Sequence, residues 1–411
     1  MRPPRPALVA KLVASVTLVA AVTRGLFACV DLESLGNGPP RDGAASGDET
    51  GTDEAGPALP DPCAHVLPVG APSADDDPDA SLPPFVVAID QAVLDPKQAA
   101  GYDLDGGCTC DRRPGAIADG GSLCVARSQV CDLDGGVDNM VGVVAAASSP
   151  TTRLDTLPNR LVQTGERTVL FQIGNYNGLA NDTDISVGVV LAEGIRVEPA
   201  GCPAAVYQDA SARWTPGKCG TDSWSVSKAS VITSGRLLPL VTGTGYVNQY
   251  RAVVHLTAPV KVPFTAESAV SIEQPTLTAT IVPLGVDMLP RDAAAPPTTA
   301  EARYYRLENG QLVGRVTIPN VLASLGSYRQ GGPDGGRVCQ NESVFDLVRT
   351  QICTNADLLR DPAAPAGGTC DALSMAMGFT AIPALSDAIV DSPPPVPTAE
   401  CDPDGGAYLC R

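Results

Sequence analysis

Histidine is almost missing from this chain: in 411 residues only His65 and His255 occur. Aromatic residues make up 4%, and lysine contributes 5 of the 28 basic residues. These scarcities exclude chemistry. There is no His-Glu-x-x-His pair, no Gly-x-Ser-x-Gly elbow and no phosphate-cradling Gly-rich loop. Gly174-Asn-Tyr-Asn-Gly178 is a turn, not a nucleotide loop. His65 stands at the end of a polar tract and His255 within a strand pattern, where a packed or exposed histidine is expected. Basic charge is also short, with 46 acidic residues setting the net charge at −18. Such a surface repels phosphate backbones, so nucleic acid is not an expected partner. It suits an extracytoplasmic surface or divalent cations.

What is present begins with an export signal over residues 1–28. Arg2, Arg5 and Lys11 form a basic head, and Leu12 to Val22 is apolar but too short to span a bilayer. Leu26-Phe27-Ala28-Cys29 resembles a bacterial lipobox, which implies lipidation of Cys29, with an ordinary secretory cleavage elsewhere as the alternative. Val30, in place of an Asp, points to the outer membrane rather than the inner one. A mature chain from Cys29 keeps all 46 acids and loses four of the 28 bases, for a charge of −22. Residues 29–62 have little apolar content and are expected to form a disordered tether.

Strand signals follow. Phe85-Val-Val-Ala-Ile-Asp90 is one. Between Thr168 and Gly194, Val169, Phe171 and Ile173 alternate with Leu170 and Gln172, and Ile185, Val187, Val189 and Leu191 alternate with Ser186, Gly188 and Val190. Period-two apolar spacing puts one set of side chains on one face of a sheet. Ser225–Thr233, Arg236–Val241, Tyr250–Leu256 and Leu277–Val282 continue the pattern. Tyr304–Val316 reads as a hairpin with Asn309-Gly310 as its turn. Ser343–Leu359 shifts to helical spacing, with Asn341 or Ser343 as cap, and Asp371–Met377 reads as a short helix. The fold expected is mainly β: an antiparallel sandwich or jelly roll over 151–330. A disulfide-rich segment, 63–150, precedes it, and a Cys-rich helical segment, 331–411, packs on it.

Thirteen cysteines occur, twelve once Cys29 is given to lipid. An even count in an exported chain indicates disulfides. Cys202 and Cys219 stand apart from the rest and are expected to pair. That leaves five cysteines on each side, an odd number, so at least one bridge must join the N-terminal group to the C-terminal group. The tail is expected to end in a small Cys401–Cys410 loop. A zinc site at Cys108, Cys110, Cys124 and Cys131 is the competing reading, against which the spacing and the oxidising compartment both argue.

Asp-Gly-Gly recurs five times, each near a cysteine, beginning at Asp105, Asp119, Asp134, Asp334 and Asp404. Two readings stay open: a turn device, with Gly supplying positive φ and Asp bonding its own backbone, or a calcium loop. For calcium the best ligands are Asp132, Asp134, Asp138 and Asn139.

The Asp-x-Asp-Gly…Cys-x-Cys…Cys-Asp…Asp-Asn pattern of Gly101–Asn139, with Leu307–Leu325 and Cys353–Phe379, resembles a family of uncharacterised cysteine-rich lipoproteins of myxobacteria. That resemblance implies lipoprotein export and supplies no activity or site residues. Phe171-Gln-Ile-Gly-Asn-Tyr-Asn-Gly through Val187 resembles, more loosely, a concanavalin- or laminin-G-like sandwich. Together these imply a lipid-anchored surface protein with a non-catalytic binding or structural role, its partners the membrane and either polysaccharide or another surface protein. A polysaccharide hydrolase or lyase on the same sandwich is the alternative. It would require two carboxylates on a concave face.

Overall fold

The alternation in Thr168–Gly194 produces the expected pair of strands, but what they belong to is a closed barrel. The computed structural model describes residues 65–78, 80–98, 101–107, 124–127, 131–133, 135–146, 156–196, 223–232, 238–265, 268–285, 290, 304–329, 335–391 and 408–410. All of them lie in one compact unit, 61–147 with 153–411. The strands are β1 (Phe85–Val93), β2 (Arg167–Gly174), β3 (Asp182–Arg196), β4 (Ser223–Ser227), β5 (Val241–Asn248), β6 (Arg251–Leu256), β7 (Val260–Pro263), β8 (Ala269–Pro283), β9 (Tyr305–Thr317), β10 (Ala372–Pro383) and β11 (Leu385–Val390). The helices are α1 (Met140–Ala146), α2 (Leu157–Gln163), α3 (Ile318–Gly326) and α4 (Glu342–Thr354).

Eight strands, β1, β2, β3, β5, β6, β8, β9 and β10, form an antiparallel ring in which each is bonded to the next. Two pairings close it: β3 with β5, and β1 with β10, the latter joining Val87 to Pro383. The sandwich expectation is therefore wrong. Period-two alternation is the same in a sandwich strand and a barrel strand, and only these non-local pairings distinguish the two. The barrel also takes β1 from the segment read as disulfide-rich and β10 from the segment read as helical. Asp371–Met377 accordingly is not a helix. Residues 372–379 are buried on both faces of β10, and such a continuous apolar run carries no period to read. Asn309-Gly310 is not a hairpin turn either. It is a bulge inside the single strand β9, where Thr278 faces Gln311 and Thr280 faces Glu308. Asn309 takes φ 50°, and a side chain at Gly310 would meet the Phe379 ring at 2.4 Å.

The barrel is filled. Phe85, Val87, Ile89, Phe171, Ile173, Val187, Leu277, Ile281, Leu312, Met375 and Phe379 all belong to one buried cluster. Scarce as aromatics are, they gather here: Phe85 stacks on Tyr305 at 4.7 Å and Phe171 packs on Phe379 at 5.2 Å. A small apolar recess beneath α2, lined by Leu161, Val162, Val169 and Met377, is about the size of one water molecule. The outward residues of β5 and β6, such as Thr242, Thr244, Arg251 and His255, are exposed. Apolar-in and polar-out is the reverse of a barrel embedded in lipid. No helix among the described residues is long and apolar enough to cross a membrane.

Two outer faces are covered. β3 pairs with β5 over Asp182–Val189, then bulges at Glu193/Ile195 and pairs with β4 over Ala192–Arg196. β11 runs parallel to β4. Between these flanking strands and the barrel lies a second core, in which Ala88, Leu170, Val190 and Ala192 meet Trp224, Val226, Val231 and Ala384. On the other face, loops 101–107, 131–139 and 355–372 lie over β8, β9 and β10. One bridge, Cys124–Cys370, joins the N-terminal and C-terminal cysteine groups across 246 residues, as the parity argument required. Cys410 pairs with Cys353 rather than closing a loop with Cys401. Cys131 and Cys339 are also disulfide-bonded. Zinc is thereby ruled out at Cys124 and Cys131, whose sulfurs are not thiolates. Cys29, the Cys202–Cys219 pair, Cys108, Cys110 and residues 1–62 lie outside the described residues.

Candidate functional site

The loop-covered face holds the charge. Asp103-Leu104-Asp105-Gly106-Gly107 folds as a tight turn in which Asp103 Oδ1 accepts from the amides of Gly106 at 2.7 Å and Asp105 at 3.2 Å. Asp105 Oδ1 accepts from the Gly107 amide at 2.7 Å. Each acidic side chain thus bonds backbone two or three residues on, the Asx geometry expected of the turn reading. A matching turn, Leu133–Val137, with Gly135 at φ 83° and Gly136 at φ 71°, delivers Asp138. Asp138 pairs by backbone with Tyr102, and its Oδ2 accepts from the Leu104 amide at 2.7 Å. Asp103, Asp105 and Asp138 each offer an oxygen within 4.8 Å of the others. His65 Nδ1 lies 2.5 Å from Asp103 Oδ2 at the outer edge.

Beneath the loops, β9 presents Arg315, 7% exposed. Its Nη2 donates to the Leu104 carbonyl at 2.6 Å, and its Nε is buried without a partner among the described residues. Beside it on β10, Ser374 is the centre of a relay. Its hydroxyl accepts from the Met140 amide at 2.7 Å and donates to Asp357 Oδ2, while its own amide donates to Asp357 Oδ1 at 2.8 Å. The relay ties three chain segments together: the start of α1, β10 and the loop after α4. The Asp357 carbonyl lies 3.3 Å from the sulfur of Cys124, so the bridge to Cys370 sits against the same cluster.

Burial dominates the proton equilibria. It pushes the Asp138 carboxyl up to about 9, against the Leu104 amide bond, and Asp357, Asp105 and Asp132 push it further. Burial also pushes Asp357 up to about 7, while the two bonds from Ser374 pull the other way. The Arg315 guanidinium is lowered by burial and supported by Asp138, Asp105 and Asp357. Burial thus favours the protonated form of Asp138 on the face that also buries Arg315.

Of the expected calcium ligands, Asp138 lies at the centre, with Asp103 and Asp105 around it. Asp132 acts on Asp138 and Asp357 through charge. Asn139 has its amide oxygen committed to the amides of Gly142 at 3.1 Å and Ala376 at 3.0 Å, so it is a structural acceptor. Asp134 lies outside the described residues. The missed members are Arg315, Ser374 and Asp357. Arg315 alone gave a signal: a charged residue in a strand otherwise apolar from Leu312 to Val316.

Asp138, the central carboxyl of the cluster, is 3% exposed. Ser374 is fully buried and hydrogen-bonds a carboxylate, with no histidine beside it to act as base. His255, the other histidine, is exposed on β6 and bonds Thr276 at 3.1 Å. Comparison of the chain with protein-family models, curated proteins and solved structures returns no match.

Proposed function

We infer that the protein is an exported, lipid-anchored module that acts through its outer surface and is not an enzyme. The observation that carries this reading is the filled barrel stapled by a bridge spanning 246 residues. A barrel that works on a small ligand keeps a cavity for it, whereas this one is packed with side chains. Long-range disulfides persist in oxidising compartments, which supports export, as does the basic and apolar leader ahead of Cys29. The outer membrane is the expected destination, and another surface protein the expected partner. The polysaccharide reading leaned on a sandwich face that the barrel does not have.

Fractionation tests this. Cys29→Ser should move the protein from the membrane fraction to the soluble one. Retention of the variant in a detergent-dependent fraction would sink the lipid-anchor reading.

A further inference from the structure

One stretch of the chain is free of acid. Of the 46 Asp and Glu residues none falls in residues 223–266, where an even spread would put about five. Lys228, Arg236, Arg251 and Lys261 do fall there. The stretch builds β4 to β7 and, between β4 and β5, a short antiparallel pairing of Val231 with Pro239. In it the Ile232 amide donates to the Leu238 carbonyl at 2.7 Å, and the Leu240 amide to the Ser230 carbonyl at 3.0 Å. One side of this pairing is fixed to the barrel. Val231 belongs to the outer core, Pro239 sits over Gly188 of β3, and the Ser230 hydroxyl accepts from the Leu191 amide at 3.1 Å. Successive side chains alternate in direction, so Ile232, Leu238 and Leu240 share the other side. They are 51%, 43% and 52% exposed. Beyond Leu240 the exposed row continues along β5 as Thr242 and Thr244, and Thr244 is paired with the exposed His255 of β6. At the far edge Lys228 lies 3.9 Å from Asp391.

We propose that this face docks on phospholipid: Ile232, Leu238 and Leu240 enter the headgroup region of the bilayer that anchors the chain, with the acid-free strands behind them. A single exposed apolar side chain needs no explanation, but three on one ridge mark a contact. The chemistry selects the partner. A phospholipid surface accepts apolar side chains beneath its headgroups, attracts bases through its phosphates and repels carboxylates. A polar glycan would leave the ridge in water. Salt confines the reach of charge to roughly 8 Å, so the face that meets the surface decides the approach, and not the net charge of the body. The described chain also enters beside this face. Val69 accepts from the Tyr246 hydroxyl at 2.5 Å and Gly70 from the Asn248 amide at 2.8 Å, both on β5. Three half-exposed side chains are a weak hold by themselves. An anchor turns their docking into an intramolecular step, which weak contacts can win. The proposal rests on the reading of an N-terminal anchor, which keeps the body beside a bilayer.

The test is fluorescence quenching on the anchored protein. The exported chain is incorporated into vesicles of phosphatidylcholine brominated near the headgroup. Ile232→Trp is the reporter. Val125→Trp is the control, because Val125 is 60% exposed and pairs with Thr369 on the loop-covered face. Above the background of the native Trp214 and Trp224, emission of Ile232→Trp should fall at least about two-fold further than that of Val125→Trp. Adding Leu238→Glu and Leu240→Glu should remove the difference. Equal quenching at the two positions overturns the proposal, and so does quenching of Ile232→Trp that survives the two glutamates. Failure of the anchor shows separately, as protein that does not float with the vesicles. In that event the chain from residue 29, held by an N-terminal hexahistidine on nickel-chelating lipid, carries the same comparison.

Discussion

The two covered faces of the barrel solve the same problem with opposite materials. Over β1, β2 and β3 the seal is hydrocarbon: Trp224 and Val226 of β4 cover Ala88, Leu170 and Val190. Over β8, β9 and β10 it is polar, with Asp138, Asp357, Arg315 and Ser374 all buried. An apolar seal draws its strength from area removed from water and is nearly indifferent to pH. A polar seal depends on every donor finding an acceptor and on which groups carry protons. The first tolerates change in conditions but not in shape; the second is the reverse.

Acidity should separate the faces most. Asp138 has a folded-state value near 9 and Asp357 near 7, both above the ordinary 3.8. The folded protein therefore holds protons that the unfolded chain releases. Their contribution is fully present below about pH 4 and is lost as pH rises through 7 and then 9. Each group alone gives a slope of about 1.4 kcal/mol per pH unit within its window. Denaturant melts at pH 5 and pH 9 should differ by several kcal/mol, and Asp138→Asn should flatten the part between pH 7 and 9. A wild type equally stable at both would show that the carboxyls reach water.

Next in size is Trp224→Ala on the apolar face. Removing a buried tryptophan costs about 3–5 kcal/mol, and here the loss should not vary with pH. The Trp224 indole Nε1 is buried without a partner among the described residues, so Trp224→Phe should cost far less. Equal losses from the two substitutions would place that N–H in a hydrogen bond.

Ser374→Ala should cost about 1–3 kcal/mol, because it strands the Met140 amide and one oxygen of Asp357 together. Its check is a cycle with Asp357→Asn, whose effects should be strongly non-additive. Smallest of all is the calcium effect. With Asp103 and Asp105 bonding their own loop and Asp138 protonated, millimolar calcium at pH 6 should leave the melting temperature unmoved. A rise of several degrees that Asp103→Asn abolishes would make the loop a metal site.

How much of this could be read in advance differs between the faces. The alternation of Val169, Phe171 and Ile173 with Leu170 was plain, and it set both the lumen and the apolar outer core. What it could not say is which strands meet, because Val87 and Pro383 are joined by pairing and not by pattern. Asn341 was legible as a cap and does accept from the Val344 amide. The Asp-Gly-Gly turns were legible as turns, since Gly and Asp impose that geometry locally. Their assembly with Arg315 and Asp357 was not, because it depends on loops more than 170 residues apart lying on one sheet.

The closing pair β1–β10 also sets a timetable. Val87 is made 296 residues before its partner Pro383. At typical synthesis rates β1 waits roughly 15–60 s with one edge open. An apolar strand with an unpaired edge is a template for the wrong neighbour. Phe85-Val-Val-Ala-Ile is such a segment, and it is followed at once by Asp90 and Gln91 and preceded by Pro83-Pro84. Charge and proline in those places interrupt stacking of one copy on another. In the finished barrel Asp90 accepts from the Thr380 hydroxyl at 2.6 Å, so the residue that guards the waiting strand also receives the one that ends the wait.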